Sequence, residues 1–276
     1  MIHALARSSP TTALTLLAAL AVAAAPTSPA AAAASQSLTV LTYNIHHGAG
    51  ADDSLDLDRI ARVVKDSGAD IVGLQEVDRH FAARSDFVDQ ASWLADRLGM
   101  HLVYGANINE DPARSGGSRR QYGTAILSRF PVLDAHNTLL PHPREGEQRG
   151  LLAADINVRG TTVRMLNTHL EHTSQTERLA QADAIDKVID ASGRPTVLVG
   201  DLNATPDTRE VTTLTKHLRD QWRAVGDGNG YTFDVSNPRK RIDYVLTSRG
   251  IGARSADVLD SDASDHLPVR AEISVP

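Results

Sequence analysis

The sequence has 276 residues, of which 41% are hydrophobic, enough apolar material for one large core or two small ones. It contains no cysteine, which excludes a disulfide scaffold, a thiolate metal site and a cysteine nucleophile. The net charge of −6 gives no basic surplus of the kind that non-specific nucleic-acid binders carry. Because the chain has no cysteine, any catalytic metal ion must be held by oxygen and imidazole ligands.

The first 34 residues predict a secretory signal peptide. Arg7 precedes an apolar run over residues 13–25, which Pro26 ends, and an alanine-rich stretch follows. A positive start, a short apolar core and small residues at the cleavage site are typical of such signals, whereas a good membrane span needs about 20 apolar residues. We expect a secreted protein, with an uncleaved membrane anchor as the alternative. Its remaining domain, residues 35–276, would carry a net charge of about −7 because Arg7 is lost.

Apolar runs of strand length alternate with helical patterns along this domain. The predicted strands cover residues 38–43, 71–75, 102–104, 124–127, 151–158, 162–167, 197–200, 242–246 and 269–275. The predicted helices cover residues 57–64, 87–98 and a segment that starts with a capping box at 174–177. Polar loops are predicted over 110–120 and 141–150. Hairpins mixed with β-α-β passages favour a single-domain α/β sandwich of two sheets with helices outside.

Polar side chains that could bind a metal ion or a phosphate cluster at the ends of these segments. They are Asn44, Glu76, His169, Asp201 with Asn203, Asp243, and Asp265 with His266. One asparagine or aspartate after a strand is usually turn chemistry. A carboxylate such as Glu76, directly after an apolar run, is costly to bury without a partner, which favours metal coordination. If the strands end at one edge of a sheet, all these side chains converge in one cleft.

The residue types in this predicted cleft indicate a reaction class. Oxygen ligands without cysteine favour a hard ion, Mg²⁺ or Mn²⁺. Two histidines can donate and accept protons near neutral pH, and asparagine and arginine can hold phosphate oxygens. The sequence contains neither a Gly-x-Ser-x-Gly nucleophile turn nor a P-loop. This combination favours in-line attack by water on a phosphate ester, with a metal ion neutralising charge on the phosphoryl group.

Seven short motifs between residues 39 and 270 resemble, in their order, those of the endonuclease/exonuclease/phosphatase superfamily. They are TYNIHHG, LQEV, YGTAILSR, LNTHLEH, VGDLNATP, RIDYVL and SDHLPV. The superfamily includes deoxyribonucleases, abasic-site endonucleases, neutral sphingomyelinases and inositol polyphosphate 5-phosphatases. The resemblance implies a four-layer α/β sandwich, in which two packed mixed β-sheets are flanked by helices. It also implies a metal-dependent phosphoester hydrolase.

The resemblance further implies roles for the metal-site residues and for the Asp-x-Asn pair. Asn44, Glu76 and Asp265 would form the metal site, with Glu76 as the principal ligand. Asp201 would activate or position the attacking water, and Asn203 would hold the phosphate.

The two histidines of the motifs take the remaining roles that the resemblance implies. His266, oriented by Asp243, would be the general base or a phosphate contact, and His169 would be a candidate general acid. Whether Asp201 or His266 takes the proton from water stays open at this point.

The chain departs from the family pattern at several positions. His46 stands where abasic-site endonucleases carry an aspartate, and it would either touch metal or substrate or line the cleft. His47 would point to the opposite side of a continued strand and serve a structural role. Around residues 121–123 there is no clear equivalent of the glutamate that pairs with the second histidine in deoxyribonucleases, which weakens His169 as an acid. Arg149 would contact phosphate, or be a solvated charge at a strand edge.

Three functions follow from these observations. The first is a secreted phosphodiesterase, either a nuclease or a lipid head-group hydrolase. The second is a phosphomonoesterase that acts on a small soluble phosphate, and the third is a non-catalytic binding module, which the full set of site residues disfavours. Arg114, Arg119 and Arg120 with Tyr122 would offer a modest nucleic-acid patch. We expect a monomer without an obligate protein partner.

Overall fold

The computed structural model describes residues 1–4, 9, 35–142 and 146–276. The predicted signal peptide therefore lies almost wholly outside the described residues, and the domain boundary at residue 35 stays a prediction. The described residues from 35 onward form one compact unit. None of the described helices is long and apolar enough to cross a membrane.

Twelve strands and five helices are present in the described part of the chain. The strands are β1 (Gln36–Asn44), β2 (Ile71–Arg79), β3 (His101–Glu110), β4 (Arg120–Ser128), β5 (Val132–Leu139), β6 (Gly150–Val158), β7 (Thr161–His169), β8 (Thr196–Asp201), β9 (Leu218–Asp220), β10 (Asp243–Ser248), β11 (Gly252–Val258) and β12 (Val269–Val275). The helices are α1 (Leu57–Asp66), α2 (Gln90–Leu98), α3 (Gln175–Asp190), α4 (Arg209–Leu214) and α5 (Gln221–Val225).

The strands form two mixed six-stranded sheets. Sheet 1 has the order β11-β12-β1-β2-β4-β3, and sheet 2 has the order β5-β6-β7-β8-β10-β9. Each sheet has one parallel pair at its centre, β1 with β2 and β7 with β8, and its other pairs are antiparallel. The predicted α/β sandwich is therefore confirmed.

Three apolar clusters hold the four layers together. The cluster between the sheets includes Val40, Ile126, Met165 and Val199, all fully buried. A second cluster packs α1 and α2 on the outer face of sheet 1, and a third packs α3 and α4 on the outer face of sheet 2. Burial of apolar surface on both faces of each sheet stabilises the sandwich.

Local capping explains where the helices begin. The side chains of Asp56, Asp89 and Ser174 accept hydrogen bonds from backbone N–H groups of the first turns of α1, α2 and α3. The helix predicted from residue 87 thus begins at Gln90, because Asp89 caps it. Half of the capping box predicted at 174–177 is present, because the Ser174 Oγ atom accepts a hydrogen bond from the Glu177 backbone N–H. The Glu177 carboxylate pairs with His142 and not with the backbone N–H of Ser174.

The sequence patterns missed several elements at the edges of the fold. Strands β5, β9 and β11 and the short helices α4 and α5 were not predicted. Strand β5 is mostly exposed and therefore lacks a buried alternating pattern. The chain also leaves β1 at Asn44 and forms a single 3-10 turn over His46–Gly48, so the assumption of a continued strand at His47 was wrong.

The topology brings the candidate residues to one end of the sandwich. Strands β1, β2, β7 and β8 end there, and β10 and β12, which run antiparallel to β8 and β1, begin there. Asp243 at the start of β10 lies opposite Asp201 at the end of β8 in the sheet register. The convergence expected from the sequence is thus a consequence of strand direction.

A close approach of the two sheets at Gly73 gives a test of this packing. A Cβ added at Gly73 in β2 would lie 2.3 Å from the Val199 Cγ2 atom of β8. We expect Gly73→Ala to lower the free energy of unfolding by about 1–3 kcal/mol through overpacking, as measured by urea denaturation. The control Gly250→Ala, where no atom lies within 4 Å, should change stability by less than about 1 kcal/mol. Equal effects at both positions would contradict this account.

Candidate active site

Sheet 1 contributes Asn44 at the end of β1 and Glu76 within the neighbouring parallel strand β2. The Asn44 Nδ2 atom donates hydrogen bonds to the Glu76 Oε1 atom at 3.0 Å and to the Asp201 Oδ2 atom at 3.1 Å. Its Oδ1 atom accepts a hydrogen bond from the His46 backbone N–H at 3.1 Å. Asn44 is completely buried, so its amide fixes carboxylates from both sheets in one orientation.

A β-bulge aims Glu76 into the cleft. The pairing of β2 with β4 shifts register between Leu74 and Val77, and Glu76 has a φ of 58°. Leu74 and Val77, on either side of the bulge, pack on the outer face of sheet 1 under the helices. The bulge turns the carboxylate away from that face toward Asn44, which is a common use of bulges beside active sites.

Sheet 2 contributes Asp201 and Asn203. The Asp201 Oδ1 atom accepts a hydrogen bond from the Asn203 backbone N–H at 2.8 Å, and Asn203 takes a φ of 47°. The side-chain amide nitrogen of Asn203 donates to the Leu170 carbonyl oxygen at 3.0 Å and lies 3.1 Å from the His169 Nε2 atom. The predicted Asp-x-Asn pair therefore meets the predicted histidine directly.

His266 and Asp243 form a buried pair. The His266 Nδ1 atom lies 2.9 Å from the Asp243 Oδ2 atom, and its Nε2 atom lies 3.6 Å from the Asp201 Oδ2 atom. Burial opposes the charge on His266, but Asp243 and Asp201 outweigh that effect and raise the pKa of the imidazole to about 10. His266 is therefore a cation near neutral pH, oriented by Asp243 as the resemblance implied.

The same surroundings favour the neutral form of Asp201, whereas they favour the charged form of His266. Burial and the neighbouring Asp243 carboxylate raise the pKa of Asp201 to about 7, against the opposing effect of His266. A carboxyl group with a pKa near the working pH is suited to exchange a proton during a reaction.

His169 lies between the Arg149 guanidinium and the Asp201 carboxylate. The Nη1 group of Arg149 donates to the His169 Nδ1 atom at 2.9 Å, which leaves the ring proton on Nε2, 3.4 Å from the Asp201 Oδ2 atom. Burial and then the Arg149 guanidinium lower the pKa of His169 well below its ordinary value. The geometry thus favours a neutral hydrogen-bond donor, and the general-acid role of His169 stays a prediction.

Arg149 itself is buried. Only 2% of its surface is exposed, so it is not a solvated charge at a strand edge, and its phosphate contact stays a prediction. Its guanidinium forms an ion pair with Glu147 and lies close to Glu171. In this conformation Arg149 orients His169, because it donates a hydrogen bond to the His169 Nδ1 atom.

Sequence reasoning missed Glu147, which stands two residues before Arg149 in the predicted loop 141–150. Glu147 lies in the segment before β6 and pairs with Arg149, which in turn donates a hydrogen bond to His169. The β6–β7 register, with Leu151 opposite Thr168, places this segment beside His169. Burial raises the pKa of Glu147, and the Arg149 charge opposes that rise.

Asp265, His46 and His47 form the more exposed side of the site. The His46 Nδ1 atom lies 3.8 Å from the Asp265 Oδ1 atom. One ligand atom from each of His46, His47 and Glu76 lies within 4.8 Å of the others. Burial and the positive charge of Arg84 lower the pKa of His47 to about 4, so this imidazole is neutral. The 3-10 turn brings His47 next to Glu76, and its structural role stays a prediction.

The donor set fits a divalent cation. Glu76 and Asp265 supply carboxylate oxygens, and the Nδ1 atoms of His46 and His47 are buried without a hydrogen-bond partner among the described residues. Asn44 presents its nitrogen to Glu76 in this conformation, so its role as a ligand stays a prediction. Asp201, Asp243 and His266 also offer clustered ligand atoms, but they already pair with one another.

A comparison of the chain with protein-family models decides its family. The model described as Endonuclease/Exonuclease/phosphatase family matches residues 41–266. The chain belongs to this family. Its members are metal-dependent hydrolases of phosphoric esters, in agreement with the enzyme class predicted from the sequence.

Similar proteins support the family assignment at moderate identity. Protein cwh43 of Schizosaccharomyces pombe is 29% identical over 175 residues, 63% of this chain and 17% of that protein. The 5'-tyrosyl-DNA phosphodiesterase of Caenorhabditis elegans is 29% identical over 205 residues, 71% of this chain and 50% of that protein. This family member thus spans half or less of the length of these curated relatives.

A solved structure agrees with the fold. The crystal structure of an endonuclease/exonuclease/phosphatase from Beutenbergia cavernae superposes with a TM-score of 0.75 at 26% identity. The match covers 87% of this chain and 72% of that one.

The contact between Arg149 and His169 gives a test of the buried network. Arg149→Met removes a positive charge that lowers the pKa of His169, so this pKa should rise while staying below its ordinary value, since burial persists. The ¹⁵N chemical shifts of the imidazole, followed by NMR over a pH titration, report the change. Arg149→Lys keeps the charge and should give the smaller rise. A fall of the pKa in Arg149→Met would show that the guanidinium does not act on His169.

Proposed function

We propose that the chain is a metal-dependent phosphodiesterase that hydrolyses its substrate by in-line attack of water. The observation that carries this proposal is the contact of groups from six segments at one end of the sandwich. The amide of Asn44 joins Glu76 and Asp201, and Asp201 in turn faces His169 and His266 within 3.6 Å. A bound divalent ion would be held at Glu76 and would neutralise charge on the phosphoryl group.

The geometry supports Asp201 as the acceptor of the proton from water. Its pKa of about 7 allows it to be ionised and still basic near neutral pH, whereas His266, with a pKa of about 10, already carries a proton. His266 is then the cation that contacts the phosphate, and Asp243 keeps it charged and oriented. Asn203 and the Nε2 group of His169 lie where they can donate to phosphate oxygens.

The charges of the site support a diester over a monoester. Asp201, Asp243, Glu76 and Asp265 bring four carboxyl groups to this end of the sandwich, and the guanidinium of Arg149 is already paired with Glu147. A phosphodiester carries one negative charge, whereas a monoester carries about 1.5–2 near pH 7. Because an additional negative charge would face these carboxylates, the singly charged ester is the better substrate.

A basic and aromatic groove supports a nucleotide-like substrate. It begins one residue beyond the end of β2, the strand that carries Glu76, and has a volume of about 340 Å³. Its lining includes His80, Phe87, Arg114 and Arg120, of which Arg120 pairs with Glu110, so an aromatic face stands beside the Arg114 guanidinium. Arg114 and Arg120 belong to the patch expected from the sequence. The relative from Caenorhabditis elegans, named a tyrosyl-DNA phosphodiesterase, supports the same substrate class.

A substrate panel tests the proposal. We expect the purified protein to hydrolyse bis(p-nitrophenyl) phosphate and single-stranded DNA faster than p-nitrophenyl phosphate and sphingomyelin. EDTA should abolish the activity, and Mg²⁺ or Mn²⁺ should restore it, since the ion supplies charge stabilisation that the acidic site lacks. Faster hydrolysis of the monoester would favour the small-phosphate alternative. Equally low rates on all four substrates with and without metal would contradict the proposed enzymatic activity.

Matched variants assign the activity to this site. Asp201→Asn and His266→Ala should each lower the rate by about 10²–10⁴-fold, as expected when a proton-transfer or positioning group is lost. Asp190→Asn in α3 and His101→Ala in β3 change exposed residues of the same types far from the cleft, and they should retain the wild-type rate.

We also propose that the protein is exported and cleaved within the first 35 residues. The support is the charge and hydropathy pattern of residues 1–34. Amino-terminal sequencing of the protein recovered from the culture medium should start just after residue 25 or 34. Recovery only from cells, with Met1 at the amino terminus, would contradict export.

A further inference from the structure

Two adjacent histidines stand beside Glu76, the carboxylate proposed to hold the catalytic ion. Neither is required by the arrangement of Asn44, Asp201 and His266 described above. One ligand atom from each of His46, His47 and Glu76 lies within 4.8 Å of the others, a spacing that a single ion can bridge. The two rings could therefore either fill space in the fold or bind a metal ion.

The hydrogen bonding of the two rings favours a ligand. The Nδ1 atoms of His46 and His47 are shielded from solvent, and neither has a hydrogen-bond partner in the part of the chain that the structure describes. Buried polar atoms in proteins are nearly always paired. Two neighbouring imidazoles, each with an unpaired Nδ1 atom, and a nearby carboxylate are groups that a metal ion would bind.

The backbone brings both rings to this side of the cleft. In a continued strand His46 and His47 would point in opposite directions. Here both residues have a φ of 44°, a conformation that few residues other than glycine adopt, and their rings meet edge to face at 4.5 Å. The turn is held by a hydrogen bond from the Gln90 side chain to the His47 carbonyl oxygen at 2.6 Å.

The donor chemistry separates the candidate ions. Mg²⁺ prefers oxygen ligands and keeps several waters, whereas Mn²⁺ and later transition-metal ions accept imidazole nitrogen. Asp265, whose Oδ1 atom lies 3.8 Å from the His46 Nδ1 atom, adds an oxygen on the other side. The set is therefore mixed nitrogen and oxygen, unlike the all-oxygen shell that suits Mg²⁺.

We infer that His46 and His47 ligate the ion held by Glu76 and make this site select a transition-metal ion such as Mn²⁺ over Mg²⁺. The inference rests on the proposed function only in assigning the ion to Glu76. The two histidines then determine which ion the enzyme carries, while Asp201 accepts the proton from water and His266 contacts the phosphate.

Electron spin-echo spectroscopy of the Mn²⁺-loaded protein, prepared without a histidine tag, tests the inference directly. We expect modulation from ¹⁴N nuclei of coordinated imidazole in the wild-type protein and its loss in His46→Asn/His47→Asn. The control His101→Asn, an exposed residue of β3, should keep the signal. Absence of ¹⁴N coupling in the wild type, or its persistence in the double variant, would overturn the inference.

Calorimetric titration with each ion gives the second measurement. The wild-type protein should bind Mn²⁺ more tightly than Mg²⁺, and the double variant should lose at least about tenfold in Mn²⁺ affinity, in the range seen when groups around a metal are removed. His46→Asp should shift the preference toward Mg²⁺ because it replaces nitrogen by oxygen. Unchanged Mn²⁺ affinity in the double variant would overturn the inference.

The two proposals fail in different ways. Hydrolysis of the diester by a protein whose bound Mn²⁺ shows no nitrogen coupling would leave the function standing and remove the histidine ligands. Nitrogen coupling in a protein that hydrolyses nothing in the panel would leave the metal site standing and remove the function.

Discussion

The hydrogen bonds of one buried amide determine the geometry of the cleft. Asn44 ends a strand of sheet 1, and its Nδ2 group reaches Glu76 on the same sheet and Asp201 on the other. Both acceptors are acidic, and one of them is fully buried, so without this shared donor their charges would repel across the join between the sheets. The positions of Asp201, and through it of His169 and His266, depend on that contact.

A balance of charge extends outward from this amide. Asp243 keeps His266 positive, His266 partly offsets the burial of Asp201, and burial together with Arg149 keeps His169 neutral. The two histidines of the family motifs are therefore not equivalent, because the Nδ1 atom of His266 faces the Asp243 carboxylate and that of His169 faces the Arg149 guanidinium. The same side chain thus serves as a cation at one position and as a neutral donor at the other.

Much of the candidate site could be predicted from the sequence. The apolar runs located most of the central strands, since strands buried on both faces leave a strong signal. The motifs at their ends marked Asn44, Glu76, Asp201, Asp243 and His266, which the structure brings together. Strands β5, β9 and β11 could not be predicted because they are exposed, short or irregular. The contact of Arg149 with His169 could not be predicted because it depends on the register between β6 and β7.

The family, the sandwich and the residue types of the site can be inferred from the sequence, because they depend on local patterns and on motifs along the chain. The pairing of the charged groups, in contrast, is a property of the folded chain. The tertiary structure buries Arg149 against His169, turns Glu76 with a bulge, and places His46 and His47 together beside it. Hydrogen-bond partners and electrostatic shifts depend on distances between segments far apart in the chain, and a linear pattern does not contain those distances.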